Sequence, residues 1–208
     1  MPALKLFLSP QVDVPGKVLD DAGRRLKRYF DTICLAMNPR QFSGATVRIS
    51  PHSGEVGDSD LLVYLTQSSS IVNLMDRVFE PDVQHVLPSA HGGGGTKTMP
   101  DGRVLSEVYW AGGLKSLKTS TSDTRGIAVA NLIFHEWAHN KHSSDPLALS
   151  SGDFVHTSCG GGILMARLSY GVAARLDINS DNIHSMARVL GATNKQSISG
   201  LYSDEYGF

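Results

Sequence analysis

The sequence predicts an α+β domain, α/β-like in its first part, with a mixed twisted sheet, a long N-terminal helix and a small, loop-rich C-terminal part. Three observations carry this expectation. Alternation in Leu4-Lys5-Leu6-Phe7-Leu8 reads as a strand, and a long stretch of helical spacing follows it. Strand, long helix and second strand in succession imply a right-handed crossover and parallel pairing. At 208 residues, 41% hydrophobic and 19% charged, the chain suits one domain, able to bury roughly 70% of its unfolded surface.

Each element has its own signal. The first strand should stop at Ser9-Pro10. From about Val14 to Asn38, Val18, Leu19, Ala22, Leu26, Phe30, Ile33 and Met37 keep helical spacing, with Pro15 suited to the first turn and Pro39 beyond the end. Ala45 to Ile49 and Leu61 to Leu65 read as strands, the second apolar enough to lie inside the sheet. Ile71 to Phe79 suggests a short helix. The tract Gly92 to Gly95 opens GGGGTKT, which resembles a phosphate loop only superficially: Thr96 stands where that motif needs Gly, and no helix pattern follows. A flexible surface loop is the expectation there. Arg103 to Trp110 alternates as a strand. Ser180 to Gly191 reads as a closing helix with Ile183, Met186, Ala187 and Leu190 in one apolar stripe.

Composition removes several function classes. Nineteen Lys and Arg against 20 Asp and Glu leave a net charge of −1, so no basic field exists for nucleic acid or an anionic membrane. No apolar run is long enough for a bilayer span, so membrane insertion is not expected. The opening residues lack the core of a signal peptide. Cys34 and Cys159 are too few for a disulfide framework, and two buried thiols are the plainer expectation beside a single bridge.

The chemistry concentrates on one helix. Ser122 or Asp123 can cap a helix running through Ile127-Ala128-Val129-Ala130-Asn131-Leu132-Ile133-Phe134 into His135-Glu136-Trp137-Ala138-His139. Residues four apart project about 40° apart and one turn along, so both imidazoles can reach one ion. Glu136 lies beside the first ligand, where its carboxylate can meet a metal-bound water. HExxH thus supplies two nitrogen ligands suited to zinc (Zn2+) and a general base for the water they activate. The apolar approach from Leu132 to Phe134 implies a buried helix, against the alternative of solvated surface histidines.

Zinc needs a third protein ligand and an open position. Downstream candidates are His142, Asp145, Asp153, His156, Asp177, Asp181, His184, Asp204 and Glu205. His142 stays on the face of His135 if the helix continues, and three ligands in line cannot surround an ion tetrahedrally. Asp145 can come round to the ion if the chain turns after about Asn140. Asp145 is therefore favoured and His142 is the alternative; a turn or cap role for Asp145 in Ser143-Ser144-Asp145-Pro146 competes with both.

Residues 135 to 145 read HEWAHNKHSSD, which resembles the metzincin pattern HExxHxxGxxH/D in its aspartate-ending, snapalysin-like form. His135, His139 and Asp145 match the ligand positions and Glu136 the base; His142 replaces the family's turn glycine. The gluzincin alternative fits poorly, because its third ligand is a glutamate on a later helix and Glu205 is the only downstream glutamate among five. Met165, after Gly160-Gly161-Gly162-Ile163-Leu164, is similar to the metzincin Met-turn. Tyr170 lies too far beyond it to take the tyrosine role of some relatives. The resemblance implies a zincin fold in one catalytic domain spanning 1–208, with an upper subdomain 1–142 and a lower one, 143–208, holding the Met-turn and the C-terminal helix.

The expected function is zinc-dependent endopeptidase activity, with a protein or peptide substrate held in extended form along an edge strand, which the resemblance places near Val104 to Trp110. Tyr109 or Trp110 can line a pocket there, though a packed aromatic is the commoner role. The rivals are a zinc hydrolase acting on a non-protein amide and an inactive zinc-binding module. An active protease needs containment, so the expectation is either secretion by a route without a signal peptide, as a bacterial effector or toxin domain, or a mature fragment of a longer precursor, with an inhibitor or immunity protein as a candidate partner.

Overall fold

In a computed structural model the described residues are 1–10, 12–49, 61–66, 93–98, 104–110, 114, 117, 122–143, 161–165 and 168–191. They form β1 (Leu4–Pro10), α1 (Gly16–Ala36), β2 (Ala45–Ile49), β3 (Leu61–Thr66), β4 (Gly94–Thr98), β5 (Val104–Tyr109), α2 (Ser122–Ser143), a 3-10 turn at Gly162–Leu164, α3 (Tyr170–Ala173) and α4 (Ser180–Gly191). The expected short helix at 71–79 lies outside them.

The sheet has five strands in the order β2-β1-β3-β5-β4. β1 pairs in parallel with β2 and β3, and β3 with β5. The crossover through α1 therefore gives the parallel pairing expected of it. β1 runs through Pro10, which stays in register with Leu65; at the last position of a strand a missing N–H costs little.

Two expectations need correction. GGGGTKT is not a surface loop: Gly94–Thr98 forms β4, antiparallel to β5, with Gly94 opposite Val108 and Thr98 opposite Val104. Consequently β5 is not the edge. It lies between β3 and β4, and β4 occupies the edge. Local propensity argues against a glycine-rich strand, but β5 offers a complete ladder to pair with, and Tyr109 N–H extends it by donating to Gly93 O at 2.9 Å.

Alternation sorts the side chains. Leu4, Leu6, Leu8, Val63, Leu65, Val108 and Trp110 join the helices in one core, whereas Phe7, Tyr64, Glu107 and Tyr109 alternate with them and are buried as well. Tyr109 and Trp110 are thus packed aromatics. α1 meets α2 through edge-to-face aromatics: Tyr29 on Phe134 at 5.7 Å and Phe30 on Trp137 at 5.1 Å between ring centres. α2 is buried on every side from Ala128 to Ala138, as its apolar approach predicts.

α4 spans the residues expected, with Met186, Ala187 and Leu190 buried and Ile183 packed against the core. Asn179 and Asn182 cap it reciprocally: Asn182 N–H donates to Asn179 Oδ1 at 2.8 Å, and Asn179 N–H to Asn182 Oδ1 at 3.4 Å. Among the described residues no helix is long and apolar enough to cross a membrane.

Candidate metal centre

His135 and Glu136 are buried and His139 is half-buried, one turn further along α2. The two Nε2 atoms stand 3.1 Å apart, with ring centres 4.8 Å apart. Two nitrogens each about 2.0–2.1 Å from one tetrahedral ion stand about 3.3–3.4 Å apart, so the pair fits a shared zinc with a shift of a few tenths of an ångström.

The tautomer is set from below. His135 Nδ1 lies 2.7 Å from the carbonyl of Ile163. A carbonyl only accepts, so Nδ1 carries a proton, and Nε2 is the nitrogen turned toward His139. Ile163 reaches this position through the glycines before it: Gly161 and Gly162 take φ of 61° and 58°, a region open to glycine at little cost. Asn182 Nδ2 ties the turn to α4 by donating to Gly161 O at 3.2 Å. Met165 ends this 3-10 turn, half-buried and packed against the core, with its N–H on Gly162 O at 3.3 Å.

The carboxylate of Glu136 faces β4. Thr96 Oγ1 donates to Glu136 Oε2 at 2.7 Å, and Ser106 Oγ lies 2.8 Å from Thr96 Oγ1 and 3.2 Å from Glu136 O. Burial pushes the Glu136 carboxyl up to about 8; the Thr96 hydrogen bond pulls against this, and the Glu107 carboxylate adds to it. A neighbouring cation favours the ionised form. Glu107 itself is buried on the next strand and accepts from Thr66 Oγ1 at 2.9 Å.

The remaining site candidates divide clearly. The turn expected after about Asn140 does not occur there: α2 continues to Ser143, so His142 falls within the helix, while Asp145 lies outside the described residues, as do Asp153, His156, Asp204 and Glu205. Asp177 is engaged by Arg28 at 2.7 Å, while Asp181 and His184 are exposed on α4. Among the described residues no group of three His, Cys, Asp or Glu side chains converges to hold a metal ion. Sequence reasoning missed Thr96, Ser106 and the Ile163 carbonyl. No local pattern marks them, because each acts through chain segments at least 28 residues away from its partner.

α2 is also fastened one turn before His135. The buried Asn131 amide donates to Ala173 O at 2.7 Å and Leu176 O at 2.9 Å and accepts from Tyr29 Oη at 2.8 Å. Comparison with known proteins finds no matching family model, no matching curated protein and no matching solved structure.

Proposed function

We propose that the protein is a metzincin-like, zinc-dependent endopeptidase. One observation carries the reading: His135 and His139 converge with Nε2 atoms 3.1 Å apart, the first tautomerically fixed by Ile163 O, beside a buried glutamate. Solvated surface histidines have no need of such an arrangement, and the burial of α2 speaks against that alternative. A mixed sheet with one antiparallel edge strand next to the glutamate supports the zincin-like interpretation of the fold.

His135 and His139 would hold the zinc, with Asp145 as third ligand and His142 as the alternative. When bound, zinc supplies a Lewis acid that makes water a nucleophile at neutral pH. Glu136 takes the proton of the attacking water and delivers it to the leaving nitrogen. Among the described residues β4 is the edge strand, and its outer backbone N–H and C=O groups would pair with an extended peptide and secure the substrate beside Glu136. This role passes from β5 to β4 because β4 covers the side of β5 on which a substrate strand would pair.

Glu136→Gln tests the assignment. The side chain keeps its shape but no longer acts as a base, so hydrolysis of a general protein substrate should fall by at least about 100-fold. Zinc content should stay near about one ion per chain. Retained turnover would remove Glu136 from the mechanism, and a wild-type protein that binds zinc without cleaving any peptide would leave a zinc-binding module.

A further inference from the structure

We propose that the glycine-rich strand β4 is part of the reacting site, with Thr96 as the residue that positions the Glu136 carboxylate and Gly94 as the gap that admits it. The inference rests on the reading of Glu136 as general base. Three contacts define it. Thr96 Oγ1 lies 2.7 Å from Glu136 Oε2, 2.8 Å from Ser106 Oγ and 3.1 Å from Glu136 O. A threonine hydroxyl has one proton, and the shortest contact gives it to the carboxylate. Ser106 then donates to Thr96 Oγ1 or to Glu136 O, 3.2 Å away, and in either case the Thr96 proton ends on Oε2.

The distance, 2.7 Å, is that of a well-formed O–H···O hydrogen bond. One oxygen is thereby held, and Oε1 is left on the opposite side of the carboxylate. A Cβ added at Gly94 would sit 2.8 Å from Oε1, 2.9 Å from Glu136 Cγ and 2.5 Å from the Glu107 carbonyl oxygen. Any side chain at this position therefore forces Glu136, the Glu107 carbonyl or both to move. The need for glycine at position 94 and for a hydroxyl at position 96 has a common cause: both serve one carboxylate, 40 residues from Thr96 along the chain. A glutamate free to rotate spends much of its time out of reach of the proton it must take, and a base held within about 0.5 Å of its working geometry does not.

The test uses the full chain, zinc-free and zinc-loaded, with glutamate labelled by 13C at the side-chain carboxyl. The sequence has only five glutamates, and Glu136→Gln assigns the one of interest. Thr96→Val keeps the side-chain shape and removes the hydroxyl; Thr96→Ser keeps the hydroxyl. In Thr96→Val the Glu136 carboxyl resonance should move, zinc content should be unchanged, and kcat on a protein substrate should fall about 10- to 100-fold with KM within about twofold. Thr96→Ser should restore both the resonance and most of kcat, a rescue that a purely structural role for the hydroxyl would not tie to the Glu136 signal. Thr96→Ala serves as a second variant if Thr96→Val fails to fold. An unmoved resonance, or a kcat equal to wild type in the hydroxyl-free variant, overturns the proposal. If the wild type cleaves nothing, the endopeptidase reading fails, while the resonance still decides whether Thr96 holds the carboxylate.

Discussion

At the scale of single residues, the decisive feature is the direction in which side chains are held. His135 is oriented because Ile163 O accepts from Nδ1 at 2.7 Å; removing that acceptor would leave the ring free to present either nitrogen. The third ligand is the residue with most still to gain from experiment. Asp145→Ala should weaken zinc binding by about 10–100-fold or more relative to His142→Ala, read by competition with a chromophoric chelator; the reverse order would transfer the role to His142. Cys34 makes a contrasting case. It is a free, buried thiol, and burial, helped by Asp31, pushes its pKa up to about 11. Little thiolate is then present near neutrality. Peptide mapping after alkylation at pH 7.5 should find Cys34 unlabelled in the folded protein and labelled in urea.

At the scale of elements, α2 and β4 show opposite relations between sequence and structure. α2 is visible in the sequence because its signals are local: an apolar run, a capping group and two histidines one turn apart. β4 is not, because glycine contributes neither alternation nor β propensity, and the strand exists by pairing with β5 and by contact with Glu136. Asn131 shows what holds α2 in place. Its amide satisfies Ala173 O, Leu176 O and Tyr29 Oη at once. Asn131→Leu would strip Ala173 O of this donor and leave Leu176 O and Tyr29 Oη to Arg25, at 3.1 and 2.5 Å, and each buried group left unsatisfied costs about 1–3 kcal/mol. The variant should lose about 2–4 kcal/mol of stability by urea titration; a change below about 0.5 kcal/mol would mean that the segment bearing Ala173 and Leu176 is held by other contacts.

At the scale of the whole molecule, α1 is the strut to which the other parts attach. Its Phe30 packs on α2, and its Arg28 makes a two-pronged contact with Asp177, at 2.7 and 2.8 Å, ahead of α4. Burial alone would raise the Asp177 carboxyl, but hydrogen bonds from Arg28 and the Ile178 N–H outweigh it and hold the pKa below the ordinary value. The sign follows: the contribution is complete above the unfolded carboxylate pKa, about 3.9, and disappears as pH falls through the lower folded value. Because Asp177 is 52% exposed, the pair is worth under about 1 kcal/mol and less in high salt. Urea midpoints of wild type and Asp177→Asn should differ modestly at pH 7 and converge as the pH falls below the unfolded value; a constant difference would show that the pair contributes through packing instead. The division between sequence and tertiary structure follows from the range of the forces involved. Covalent spacing alone put His135, Glu136 and His139 on one turn of a helix, and period and order alone implied the crossover that makes the sheet parallel. Only the folded chain decided that β4 is the edge, because glycine carries no local strand signal and the strand exists through its pairing with β5. Only the folded chain, too, decided that Thr96 reaches Glu136 and that Ile163 O sets the proton on His135, because those two contacts join residues 40 and 28 positions apart and depend on how sheet, helix and turn close on one another.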